Sequence, residues 1–333
     1  MSDTVVQRPF IKNPFLSEMV QLFDELRYKK VRFGVASCVL ITGESGSGKS
    51  ELANYYINQT QVKPSPERTH IPVLHFELKA IASPREFLRA LLVAIGDPQQ
   101  GQGARNQGEL YDRLVILLKT TGLELLILDE IQVIIERRSA KVVTGIADLF
   151  KDLIKDTGLP IVFMGMPWSH YLIDSNAQLR GRIAYRHMIP PYRISTKVYR
   201  DDYRRLLKLL ADAYDLSPAI PLEELSISLC FFSFTHGNLR STANLVCDAF
   251  MFASMHNKRV NQSLLAEVIK NYGVDDSLNP FLLPLEKLEL RELLIHSDWH
   301  FGYRANKNSI IDAEFASFGV TADKKIYSLS GAA

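Results

Sequence analysis

An apolar run leads directly into a glycine-rich octet in the segment Cys38-Val39-Leu40-Ile41-Thr42-Gly43-Glu44-Ser45-Gly46-Ser47-Gly48-Lys49-Ser50. A short apolar run that ends in glycine is typical of a buried parallel strand, because helices cover both faces of such a strand. The octet 43–50 matches the pattern GxxxxGK[ST], and residues 50–58 have the pattern of a helix. The segment therefore predicts a strand, a phosphate-binding loop and a helix in succession.

The octet suits a nucleoside triphosphate, and we expect all eight of its residues to bind one. Its glycines let backbone N–H groups turn inward onto phosphate oxygens, and the following helix directs its positive end to the same anion. Lys49 is predicted to reach the β- and γ-phosphates, and the Ser50 hydroxyl to ligate Mg²⁺. The predicted cofactors are therefore ATP and Mg²⁺, and a glycine-rich turn without a ligand is the alternative.

Two adjacent carboxylates end a second apolar run, Leu125-Leu126-Ile127-Leu128-Asp129-Glu130. Ligands bind at the carboxyl ends of parallel strands, so these side chains are expected at the phosphate site. Asp129 is predicted to complete the Mg²⁺ shell, and Glu130 to orient or deprotonate the attacking water. An ordinary acidic strand end is the alternative, which the upstream octet disfavours.

Strands alternate with helices over the first part of the chain, which predicts a parallel sheet with helices on both faces. Further strands are expected at 73–78, 161–164 and 186–189. After Pro190-Pro191 the periodicity becomes helical. We therefore predict an α/β nucleotide-binding domain at 1–191, a small all-helical lid domain at 192–275 and a C-terminal tail or partner-binding appendage at 276–333.

Composition limits the class of protein. Of the 333 residues, 47% are hydrophobic and 23% are charged, which is typical of a soluble globular chain. The net charge is only +2, so nucleic acid would have to be bound by local basic clusters rather than by a bulk field. Three cysteines without a CxxC pair and a polar N-terminus without a signal-peptide core predict a reduced, cytoplasmic protein that does not enter a membrane.

Three motifs together resemble those of AAA+ ATPases: the octet, the strand 125–130, and Gly237-Asn238-Leu239-Arg240 in the helical part. Two further segments resemble more narrowly the TniB/TnsC ATPases of transposons, including CRISPR-associated ones. These are Asp129-Glu130-Ile131-Gln132, which basic residues follow, and Gln178-Leu179-Arg180-Gly181-Arg182-Ile183. The resemblance implies a P-loop AAA+ sheet followed by a helical lid.

The resemblance also implies roles for three arginines. Arg182, or as second choice Arg180, would be an arginine finger that acts on ATP in the neighbouring subunit, because a guanidinium fork engages phosphate oxygens. Arg240 would contact the γ-phosphate from a lid helix and couple hydrolysis to lid movement. The alternatives are a solvated basic face that includes Arg186, and a lid salt bridge for Arg240. A site shared between subunits requires a homo-oligomeric ring or filament.

One position departs from the pattern that the resemblance implies. The family often has a polar side chain at the end of the fourth strand to position water, whereas this strand ends Phe163-Met164-Gly165-Met166-Pro167. A thioether is a poor hydrogen-bond partner. We therefore expect that hydrolysis is slow, or that another residue such as Ser169 takes this role.

The candidate DNA contacts are Arg137, Arg138 and Lys141. In the resembled family this region faces a channel that holds double-stranded DNA. Clustered positive charges suit phosphates but read no base sequence, and an oligomer multiplies the contact. A solvated loop is the alternative.

The resulting hypothesis is an ATP-dependent regulator of DNA transposition. ATP binding would drive oligomerisation on double-stranded DNA, the oligomer would recruit a transposase, and a target-selection adaptor protein would determine where it forms. Two alternatives stay open. One is a replication initiator or helicase loader of the AAA+ class, and the other is a nucleotide-gated DNA-binding scaffold with little hydrolysis.

Overall fold

The computed structural model describes residues 14–60, 70–79, 83–136, 139–214, 218–294 and 318–321. Five strands form the main sheet: β1 (Cys38–Gly43), β2 (Val73–Glu77), β3 (Leu125–Asp129), β4 (Ile161–Gly165) and β5 (Ile183–Ile189). Their order is β2-β3-β4-β1-β5, and all neighbouring pairs are parallel. The carboxyl ends of the strands therefore lie along one edge, where the octet follows β1.

Helices flank the sheet in the first part of the chain, and further helices follow the last strand of the sheet. Those before β5 are α1 (Pro14–Phe33), α2 (Lys49–Thr60), α3 (Pro84–Ala94), α4 (Gln107–Thr120), α5 (Val133–Glu136), α6 (Ala140–Thr157), α7 (His170–Asp174) and α8 (Ala177–Arg180). Those after it are α9 (Lys197–Asp212), α10 (Leu225–Thr235), α11 (Leu239–Met255) and α12 (Gln262–Asn271). The predicted fold class is confirmed. Within the described ranges, no helix has the length and apolar character needed to cross a membrane.

The central strands divide the apolar core into two layers. On β3, Leu126 and Leu128 pack with buried side chains of α3, α4 and α6, whereas Leu125 and Ile127 pack with those of α1 and α2. All four of these side chains are fully buried. Because both faces of the strand are covered, its sequence is a continuous apolar run rather than an alternating one, as predicted.

Helix boundaries follow capping residues. Ser83 caps α3, as its hydroxyl accepts a hydrogen bond from the Glu86 N–H at 3.2 Å, and Pro84 takes the first helical position. Helix α6 ends at Thr157 and is followed by Gly158, which caps it with a left-handed φ of 59°. The strand predicted at 186–189 begins earlier than expected, at Ile183.

The chain after α12 packs back onto the four helices. The buried apolar side chains of this segment are Phe281, Leu288 and Leu290. It ends in β6 (Arg291–Leu294), which pairs antiparallel with β7 (Phe318–Thr321). Residues 276–294, which the sequence predicts to be part of an appendage, therefore contribute to the core of the helical unit. Residues 295–317 and 322–333 lie outside the described part of the chain.

Glu292 on β6 joins this segment to the connection between the sheet and α9. Its buried carboxylate accepts hydrogen bonds from the Ile194 N–H at 2.7 Å and from Arg193 Nε at 3.0 Å. Burial alone would raise the pKa of Glu292, but these hydrogen bonds hold it below its ordinary value. The ionised carboxylate thus links β6 to the start of the helical unit.

Candidate nucleotide-binding site

The octet forms a loop between β1 and α2 whose shape depends on two glycines. Gly46 has a φ of 79° and Gly48 a φ of 99°, in the left-handed region that favours glycine. A Cβ atom on Gly46 would lie 2.7 Å from the Cβ of Arg240, so a side chain there is excluded by space as well as by backbone conformation. The conformation of the loop therefore allows a bound group to approach its backbone closely.

Lys49 folds back over the loop. Its side chain is buried, and Nζ donates hydrogen bonds to the backbone oxygens of Gly43 at 2.8 Å and Glu44 at 2.9 Å. Burial lowers the pKa of the Lys49 ammonium, whereas the nearby carboxylates of Asp129 and Glu130 act in the opposite direction. A phosphate placed in the loop would offer this cation a stronger acceptor than the two carbonyl groups.

Ser50 and Asp129 lie side by side at the start of α2 and the end of β3. The Ser50 hydroxyl donates to Asp129 Oδ2 at 2.6 Å, and Asp129 Oδ1 accepts from the Glu130 N–H at 2.8 Å. Burial alone would raise the pKa of Asp129, but His75 and Ser50 hold it below its ordinary value. A hydroxyl beside an ionised carboxylate is a pair of hard oxygen donors, which fits Mg²⁺.

His75 on β2 is a neighbour of Asp129 that the sequence did not indicate. Its Nε2 lies 3.5 Å from Asp129 Oδ2, because residues 75 and 129 are on the adjacent parallel strands β2 and β3. The spacing along the chain carries no signal of this approach.

Glu130 follows β3 in an unusual backbone conformation. Its φ is 59°, a left-handed value that costs a non-glycine residue about 1–3 kcal/mol. The residue lines the same cavity as Lys49 and Ser50. Its Oε2 accepts a hydrogen bond from Gln132 Nε2 at 2.5 Å. The strained backbone thus directs the second carboxylate of the motif to the cavity while the first stays buried.

The N-terminus of α11 covers the octet. Asn238 Nδ2 donates to the Ser45 backbone oxygen at 2.8 Å, and the Arg240 N–H donates to the Gly46 oxygen at 3.1 Å. The Arg240 guanidinium also reaches Ser45 Oγ at 3.3 Å. The structure therefore brings Arg240 to the phosphate loop, and adds Asn238 as a contact that sequence reasoning missed.

The cavity between the octet and the helical unit encloses about 130 Å³. Its polar lining comes from the octet together with Glu130 and Arg240. Its apolar lining includes Leu16, Leu210, Tyr214, Leu239 and Ala243. The Tyr214 ring stacks on Phe250 with centroids 4.7 Å apart. Polar groups suited to phosphates and apolar side chains suited to a planar base therefore line the same cavity.

Arg182 and Arg180 lie away from this cavity. The Arg182 backbone oxygen accepts from the Cys38 N–H at 3.1 Å, at the start of β1, whereas the octet follows the end of β1. The length of the strand, roughly 16 Å, therefore separates Arg182 from the phosphate loop of its own chain. Arg180 is exposed at the end of α8. Arg186 is paired with Asp174 at 2.6 Å.

The remaining predicted residues do not line the cavity, and two of them lie outside the described part of the chain. The Met166 N–H donates to Gln132 Oε1 at 3.1 Å. Ser169 is fully buried, and its hydroxyl has no hydrogen-bond partner among the described residues. Lys141 is exposed in the first turn of α6. Arg137 and Arg138 lie outside the described residues.

Solved structures of similar fold include two proteins of Aeropyrum pernix. The ORC2 protein, in ADPNP–ADP complexes, has a TM-score of 0.59 and 16% identity over 80% of this chain and 71% of that one. The ORC1 protein in complex with DNA has a TM-score of 0.58 and 20% identity over 86% and 72%. Cdc6p from Pyrobaculum aerophilum has a TM-score of 0.57 and 16% identity over 86% and 75%. These likenesses show a shared fold, the AAA+ fold that the motifs predicted.

The family model described as bacterial TniB protein matches residues 4–192, which is more than half of the 333 residues. The chain therefore belongs to the TniB family, as its motifs predicted. No curated protein matches it.

Proposed function

We propose that this TniB-family ATPase regulates DNA transposition by assembling on double-stranded DNA when it binds ATP. The proposal rests on the positions of the residues predicted for the ATPase site, which lie in two separate places on the chain. The octet and Glu130 border the cavity, with Asp129 hydrogen-bonded to Ser50, whereas Arg182 lies at the opposite end of β1. Its finger role thus requires a second subunit, so the complete site forms only on assembly.

Each residue of the half-site has a chemical task. The loop N–H groups and Lys49 bind the phosphates. Ser50 and Asp129 would hold Mg²⁺, which would supply positive charge to the phosphate oxygens. Glu130 orients a water molecule and accepts its proton as the new P–O bond forms and ADP leaves. Arg240 holds the lid against the phosphates, and Arg182 of a neighbouring subunit stabilises the developing negative charge.

Double-stranded DNA is the proposed support for assembly. The ORC1 protein of similar fold was solved in complex with DNA, and the family membership supports the same partner here. Arg137, Arg138 and Lys141 remain the proposed phosphate contacts, which read no sequence. The assembled protein recruits a transposase, and a target-selection adaptor directs where it assembles.

Assembly is tested by imaging the protein on duplex DNA with ATP, with a slowly hydrolysed analogue and without nucleotide. We expect rings or filaments of the wild type with either nucleotide, and none with Lys49→Ala, because that variant loses the phosphate-binding cation.

Charge reversal at Arg137, Arg138 and Lys141 is expected to abolish salt-sensitive DNA binding but leave the monomer folded. Rings or filaments formed by Lys49→Ala, or by the wild type on DNA without nucleotide, would contradict nucleotide-dependent assembly. Unchanged DNA affinity of the charge-reversed variant would contradict the assignment of the DNA contacts.

A replication initiator is the second candidate, favoured by the likeness to ORC and Cdc6 structures. Specific DNA-binding proteins prefer their sites over other DNA by about 10³-fold or more. A transposition regulator that reads only phosphates shows no such preference. Affinities for several unrelated duplexes at one salt concentration therefore distinguish the two functions.

A further inference from the structure

The end of β4 has no polar side chain, and the side chains of Gln132 and Ser169 occupy the space that one would fill. A Cβ atom built on Gly165 would lie 2.6 Å from Gln132 Oε1, and close to Ser169 Oγ as well. Gln132 comes from the turn after β3 and is buried, with 5% of its surface exposed. The glycine thus leaves room for an amide that arrives from the neighbouring strand.

Hydrogen bonds at both ends fix the orientation of this amide. The Met166 N–H donates to Oε1 at 3.1 Å, and Nε2 donates to Glu130 Oε2 at 2.5 Å. A backbone N–H can only donate, so the carbonyl group of Gln132 must face Met166, which leaves the NH₂ group to donate to Glu130. The end of β4 is therefore connected to Glu130 through one side chain.

We propose that Gln132 is a positioning residue for ATP hydrolysis, holding the Glu130 carboxylate in the direction from which it activates water. The inference rests on the proposed function of Glu130. The family resemblance implies a polar side chain at the end of β4, where this chain has Gly165 and Met166. We infer that Gln132, in the turn after β3, supplies this polar group instead. The hydroxyl of Ser169, the substitute suggested by the sequence, is buried without a hydrogen bond to Glu130 or to any other described residue.

Two substitutions separate the bond to Glu130 from the bond to Met166. Gln132→Glu keeps an oxygen to accept from the Met166 N–H but replaces the donor to Glu130, at almost unchanged volume. Gln132→Met removes both bonds. We expect both variants to lose roughly ten- to hundredfold in kcat, the loss that follows from a misplaced catalytic group. The Kd for a fluorescent ATP analogue should stay within about threefold, since a group acting only in the transition state affects kcat alone.

Gly165→Ala provides a third variant in which Gln132 itself is intact. Its Cβ takes the space of the amide and of Ser169 Oγ, so the change is made together with Ser169→Ala. Relative to Ser169→Ala alone, we expect the same loss of kcat with ATP binding retained. Adding Gln132→Met in this background should cause little further loss, because the two changes break one connection. Gln107→Met, the same chemical change at an exposed position of α4, is the matched control and should leave kcat unchanged.

Assembly on duplex DNA is measured for the same proteins. The Gln132 variants should still assemble with ATP, because they bind it, and should disassemble more slowly. Wild type that hydrolyses ATP but fails to assemble would overturn the proposed function and leave the role of Gln132 standing. Gln132→Glu or Gln132→Met with ATP binding and kcat both within about twofold of wild type would overturn the inference. So would wild-type phosphate release equal to that of Glu130→Gln.

Discussion

Asp129 and Glu130 are chain neighbours whose surroundings differ. Asp129 is fully buried, bonded to Ser50, and has a pKa below its ordinary value. Glu130 lies on the cavity wall, where its backbone turns into the left-handed region. The first environment suits a permanent anion that holds a cation, and the second suits a base that meets water.

Replacing the base tests this division of roles. Glu130→Gln keeps an oxygen that can accept from Gln132 but removes the proton acceptor, so we expect phosphate release to fall by about 10²-fold or more. The measurement is phosphate release with and without duplex DNA, together with nucleotide affinity, which should be retained. Glu18→Gln, at an exposed carboxylate of α1, is the control. Equal, near-background rates for wild type and Glu130→Gln would favour the nucleotide-gated scaffold.

At the scale of one element, the N-terminus of α11 has two functions that share a side chain. Asn238 Oδ1 accepts from the Ser241 N–H at 3.1 Å and so caps the helix, while Nδ2 donates to the Ser45 oxygen of the octet at 2.8 Å. A helix cap and a contact to the phosphate loop are thereby joined in one residue. The position of the lid helix thus depends on the conformation of the loop.

Asn261 allows the two functions of Asn238 to be separated. It caps α12 in the same way, with Oδ1 accepting from the Leu264 N–H at 2.8 Å, but belongs to a helix whose residues do not line the nucleotide cavity. Each Asn→Ala change should destabilise the protein by about 1 kcal/mol through the lost cap. Only Asn238→Ala should also raise the Kd for ATP, by about fivefold. Thermal unfolding and nucleotide titration of both variants measure this, and equal Kd values would refute the lid–loop contact.

At the scale of the whole molecule, the sheet separates the two halves of the proposed ATPase site. The octet lies where β1 ends, and Arg182 lies where β1 begins. A rigid parallel sheet keeps these positions apart within one chain. Head-to-tail stacking of subunits is the arrangement that brings one edge of the sheet to the other.

Mixing two inactive variants tests whether the site is shared. Glu130→Gln lacks the base but keeps ATP binding and Arg182, and Arg182→Ala keeps the nucleotide site but lacks the finger. Each alone should be nearly inactive, while a 1:1 mixture on DNA should regain about a quarter of the wild-type rate, the share of interfaces with both intact halves. The same mixture with Arg180→Ala in place of Arg182→Ala identifies which of the two arginines is the arginine finger.

Arg186→Ala, which removes an exposed residue paired with Asp174, is the control for loss of a positive charge on β5. A mixture no more active than its separate components would show that Arg182 is not supplied by a neighbouring subunit.

Much of this architecture could be predicted from the sequence, because local patterns specify it. Covered strands are continuous apolar runs, as in β3, and Ser83-Pro84 marks the start of α3 through bonds within one turn. The octet is likewise local, since its shape depends on glycines within the loop itself. The segment 276–294 was harder to interpret, because its role depends on burial against helices distant in the chain.

The sequence by itself determined the class of fold, the phosphate loop and the two carboxylates that follow β3, because these depend on residues adjacent along the chain. Only the tertiary structure decided that Gln132 connects Met166 to Glu130, that Asn238 joins the lid to the octet, and that Arg182 lies far from the octet of its own chain. These relations depend on strand order and helix packing, which bring together groups whose separation in sequence carries no signal.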